Sequence, residues 1–105
     1  MAYESGALNA ALAAAVGSDP VLVAELRGAF VESAARQIDL LRRARCDANW
    51  HFAALRLKSL AASFGVQGIS DLADLALEGA PSDPVVLRQL ELAMRDFGDR
   101  PAEMQ

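Results

Sequence analysis

Cysteine occurs once in the 105 residues, at Cys46, and histidine once, at His51. A lone cysteine excludes an intramolecular disulfide framework, and one cysteine with one histidine cannot supply the ligand set of an ordinary zinc site. The free thiol fits a reducing compartment, so the cytoplasm is the expected location. Positive charge is also scarce, with ten Lys plus Arg against fourteen Asp plus Glu and a net charge of -4. The overall attraction that drives most nucleic-acid binding is therefore missing, and nucleic acid is not an expected partner. The apolar stretch from Ala7 to Val16 is too short to cross a bilayer, and Glu4 stands where a signal peptide carries Lys or Arg. Neither export nor a membrane partner is expected. A glycine-rich phosphate loop and a nucleophile elbow are both lacking, which removes the commonest signatures of phosphate-cradling and acyl-transfer sites.

What remains is a chain of one domain's length, 53% hydrophobic and 23% charged, with four prolines and seven glycines. Most of these fall in short clusters between long Ala/Leu-rich segments, and that punctuation predicts an all-α fold. Ser5 is a candidate cap for a short first helix ending at Gly17. Ser18-Asp19-Pro20 opens a long second helix to Arg45, whose face is expected to carry Leu22, Leu26, Phe30, Ser33, Gln37, Leu40, Leu41 and Ala44. A third helix runs from about Asn49 to Phe64, stopped by Gly65. A fourth opens at Ser70-Asp71 and passes through Leu72, Leu75 and Leu77, with Gly79-Ala80-Pro81 after it. Ser82-Asp83-Pro84 starts a fifth, lined by Val86, Leu87, Leu90, Met94 and Phe97, and residues 99–105 form a polar tail expected to fray. Four substantial helices with short connections fold most simply as an antiparallel four-helix bundle, with the additional short N-terminal helix capping one end.

The third helix carries the functional signal. At about 100° per residue, Ala53, Leu57, Leu60 and Phe64 form the expected core stripe, and His51, Leu55, Lys58 and Ala62 gather on the opposite side. Leu55 is thus predicted to face solvent. Small Ser59 and Ala62 beside it leave the backbone approachable.

The segment Ala54-Leu55-Arg56-Leu57-Lys58-Ser59-Leu60-Ala61-Ala62-Ser63-Phe64-Gly65 resembles the signature of histidine-containing phosphotransfer (HPt) domains, in which Ala-His-x-Leu-Lys-Gly is followed by small residues, an apolar residue and Gly. Ala54, Leu57, Lys58, Ala61, Ala62, Phe64 and Gly65 match in register, and Ile69, Leu72 and Leu75 downstream with Asp19-Pro20, Leu22, Leu26 and Phe30 upstream extend the similarity over most of the chain. The resemblance implies a four-helix bundle with a phosphorylatable imidazole midway along one exposed helix, and a partner that is the receiver domain of a response regulator or hybrid kinase. In this register the imidazole is replaced by Leu55, which has no lone pair to attack phosphorus. Ser59 replaces the usual glycine. The chain therefore reads as a docking module without phosphotransfer or other enzymatic activity, needing no cofactor and no metal, with His51, Leu55, Lys58, Ser59 and Ala62 as its partner-binding residues. Lys58, beside the phosphohistidine in the family, would be free to meet an acidic receiver pocket.

Two alternatives stay open. His51, one turn before Leu55 on the same face, is a possible displaced phosphoacceptor in an active carrier. A structural homodimer or adaptor would instead pack Leu55 against another copy. Asp71, Asp74 and Glu78 on the fourth helix read as a solvated carboxylate row, Arg27, Arg36, Arg42, Arg43 and Arg45 as an acidic-partner surface, with helix-end compensation accounting for the last three, and Trp50 as a packing anchor.

Overall fold

The structure, a computed structural model, describes residues 2–17 and 19–98. Ser18 and the tail 99–105 expected to fray lie outside the described residues. The described chain is all-helical with no strand: α1 Ala2–Val16, α2 Pro20–Arg43, α3 Asp47–Phe64, α4 Gln67–Glu78 and α5 Pro84–Gly98. No described helix is long and apolar enough to cross a membrane. The molecule measures 42 × 21 × 18 Å, a length set by the 24 residues of α2.

Local chemistry explains most boundaries. The Asp19 carboxylate accepts from the backbone N–H of Val21 at 3.0 Å and of Leu22 at 3.4 Å, and Pro20 occupies the first helical position, where its missing N–H costs nothing. Asp83 likewise accepts from Val85 N–H at 3.0 Å ahead of α5. Gly65 closes α3 in the left-handed region at φ 73°, with Val66 N–H bonding back to Ala61 O at 2.9 Å and Gly65 N–H to Ala62 O at 3.2 Å. Those two bonds are the Schellman pattern, which satisfies carbonyls the helix end would otherwise leave open.

Some boundaries differ from the sequence reading. α1 begins ahead of Ser5, so Ser5 lies inside a helix of 15 residues rather than capping a short one, and α1 packs mainly along α2 with further contact to α5 and α3. α2 ends at Arg43 with Ala44 as its cap, leaving only Arg42 and Arg43 in its last turn. α4 begins at Gln67, not Ser70, because burial of Val66 and Ile69 anchors an extra turn that no capping side chain announces. Ser70 is consequently a buried residue within the helix.

The core gathers Leu8 and Leu12 from α1, the stripe Phe30, Ala34, Ile38 and Leu41 from α2, and Val86, Leu90 and Phe97 from α5 around α3 and α4. Phe30 packs on Phe64 at 5.2 Å and edge-on to Phe97 at 5.6 Å, so one aromatic cluster ties α2, α3 and α5. The α2 stripe is turned by about 70° from the expected face. Leu22 and Leu40 are exposed, while Ala34 and Ile38, absent from that face, are buried. On α4, Ile69, Ala73 and Ala76 point inward and Leu75 is half exposed. α3 packs against α2 on one side and α4 on the other, and α5 contacts both of those helices.

Candidate functional site

The face of α3 that meets solvent is fixed by what α3 buries. Trp50, Ala53, Ala54, Leu57 and Ala61 are its buried residues, a stripe about 50° round from the expected Ala53, Leu57, Leu60 and Phe64. Leu60 and Phe64 are only partly buried. Two alanines cause the turn: with only a methyl group at 54 and 61, this side offers close approach to a neighbouring helix, and shape outweighs hydropathy. Trp50 fixes the same seam, donating its buried indole N–H to Ala76 O on α4 at 2.6 Å.

The rotation redraws the site. Leu55 stays on the outer surface, 39% exposed, with His51, Ser59 and Ala62 exposed around it. Phe52, absent from the expected face, joins the exposed face at 60% exposure. Its signal was present in the sequence, since Phe52 lies opposite the stripe once Ala54 and Ala61 are counted as core. Lys58 moves to the α4 edge and pairs with Asp74 there at 2.8 Å. It is therefore not free as expected, although both side chains are nearly half exposed and such a pair is exchanged at little cost.

The five expected partner-binding residues thus share one side of α3, but they do not converge on a reaction centre. Leu55 offers no nucleophile, and His51 has no hydrogen-bond partner among the described residues to orient its imidazole. His51 sits at the edge of a shallow depression bounded by Trp50, Phe52, Leu77 and Gly79. The carboxylate row is divided among separate partners, Asp71 accepting from Gln67 Nε2 at 2.7 Å and Asp74 from Lys58, so it forms no acid–base pair. Among the described residues no three His, Cys, Asp or Glu side chains are grouped to hold a metal ion, and Cys46 is an exposed free thiol. The arginine group is dispersed: Arg27 donates to Phe97 O at 2.9 Å, Arg36 to Ser33, and Arg42 bridges Asp39 on its own helix and Glu91 on α5. The hydrogen bond to Glu91 is the main cause holding Arg42 above the usual arginine pKa. The chemistry available on the α3 face is contact: one branched apolar side chain, small neighbours and an exchangeable ion pair. No family model, no curated protein and no solved structure matches the chain.

Proposed function

We propose that this chain is an HPt-like module of a two-component phosphorelay that docks on a receiver domain and cannot itself carry the phosphoryl group. In this reading the helices α2, α3, α4 and α5 form an antiparallel four-helix bundle with α1 added at the N-terminus, acting in the cytoplasm. The contacts of α3 and α5 with both α2 and α4 support that arrangement.

The observation that carries the reading is Leu55. It is exposed on an outer helix face, in the register where the resemblance expects an imidazole, with Ser59 and Ala62 leaving room for close approach. Mechanistically the module works by occupancy. Leu55 fills the shallow site beside the receiver's phosphorylatable aspartate, and Lys58 trades Asp74 for a receiver carboxylate. Phosphorylation of the receiver is then tuned by access rather than by transfer.

Titration calorimetry against a panel of isolated receiver domains tests this. Leu55→Glu and Lys58→Glu should each weaken the complex by about 1 kcal/mol or more. Unchanged affinity in both variants removes this face from the interaction. Self-association that is lost in Leu55→Glu, without binding to any receiver, would assign the face to a homodimer instead.

A further inference from the structure

Charge is distributed unevenly along the chain. Six of its ten basic residues lie between positions 36 and 58, namely Arg36, Arg42, Arg43, Arg45, Arg56 and Lys58, against only two of its fourteen acidic ones, Asp39 and Asp47. Two of the basic residues, Arg43 on α2 and Arg56 on α3, come together, while Arg42 and Lys58 are paired with Glu91 and Asp74 from outside that stretch, so a protein of net charge -4 carries a small basic area on the α2–α3 seam. An open groove of about 370 Å3 runs through it between the two helices.

The groove combines three kinds of group. Leu40 from α2 and Phe52 from α3 give it apolar walls, at 41% and 60% exposure. Arg43 and Arg56 line it with positive charge. Arg56 has no ion pair among the described residues, and Arg43 pairs only with Asp39, whose other carboxylate oxygen is taken by Arg42, itself also held by Glu91. Gln37, a neutral polar side chain, also lines the groove.

We infer that this groove binds an acidic amphipathic helix of a partner protein. A cleft between two packed helices suits a third helix, whose residues at i, i+3 or i+4, and i+7 would rest on Leu40 and Phe52. Acidic residues on its flanks would meet Arg43 and Arg56. A second copy of this chain presenting the same groove is disfavoured, because it would set Arg43 and Arg56 against their own like. A nucleic-acid backbone offers no apolar stripe to rest on Leu40 and Phe52, and its continuous charge gains too little from two guanidinium groups on a molecule whose residues outside positions 36 to 58 carry twelve acids against four bases. The groove lies on the α2 side of α3, away from the Lys58–Asp74 seam, and shares only Phe52 with the exposed face around Leu55, so the charge preference tested at Arg56 distinguishes it from docking on a receiver.

The test is amide chemical-shift mapping on the isotopically labelled full chain. The probe is a helical peptide of about 18 residues with leucines along one stripe and glutamates on its flanks. A counterpart carries lysine at every glutamate. Saturable shifts at Leu40, Phe52 and Arg56 with the glutamate peptide are expected, with the lysine peptide inert. Arg56→Glu should weaken binding about tenfold. Phe52→Ala, at an exposed position that tolerates truncation, should weaken it while circular dichroism stays unchanged. Four results would overturn the inference: no saturable shift at these residues, equal binding of both peptides, the same shifts from a single-stranded oligonucleotide, or Phe52-dependent self-association in sedimentation.

Discussion

Leu57 is fully buried in the core, whereas Leu55, two residues away on the same helix, keeps more than a third of its surface in water. The same side chain thus stands in two environments. Truncating Leu57 leaves a cavity among close-packed neighbours, and Leu57→Ala should cost about 2–5 kcal/mol. Leu55→Ala removes apolar area that is already partly hydrated and should cost no more than about 1 kcal/mol. Urea unfolding followed by fluorescence of Trp50, the only tryptophan, measures both. Similar losses at the two positions would mean that Leu55 is a core residue, and its role as a contact residue would fall with that result.

At the scale of helices, the ends are better specified by sequence than the faces. Asp19-Pro20 and Asp83-Pro84 announce α2 and α5 because a capping carboxylate acts on N–H groups within three residues. α4 carries no such announcement: Val66 occupies its cap position without a side-chain hydrogen bond, and burial against other helices sets the start. The faces of α2 and α3 depended on Ala34, Ala54 and Ala61, whose hydropathy says little but whose size permits close packing. Hence Leu55, Ser59 and Ala62 were legible as surface, Phe52 becomes so once Ala54 and Ala61 are counted as core, and the pairing of Lys58 needed the position of α4. Gly65 was legible for a local reason, its left-handed φ of 73°. A Cβ there would meet nothing within 4 Å, so Gly65→Ala should cost about 1 kcal/mol through backbone conformation alone. A shift in the urea midpoint checks it, and a neutral result would argue against the left-handed stop.

Over the whole molecule, α1 is part of the core. Leu8 is fully buried, and α1 packs on α2, α3 and α5, so Leu8→Ala should lower stability by about 3 kcal/mol. For a domain of this size that is a drop of roughly 10–20 °C in Tm, readable by scanning calorimetry. An unchanged Tm would make α1 an appendage. The wider functional picture also belongs to this scale. Helices packed around α3 present one face of contact residues near Leu55 and, toward α2, a basic apolar groove, on a molecule that is otherwise acidic. Incapacity for transfer combined with retained docking is the central claim, and radiolabelled phospho-receivers test it most directly when label transfer and complex formation are followed in the same samples. The expected result is a stable complex with one receiver, sensitive to Leu55→Glu, in which the label stays on the receiver. Acid-labile label appearing on this chain and abolished by His51→Ala would contradict it.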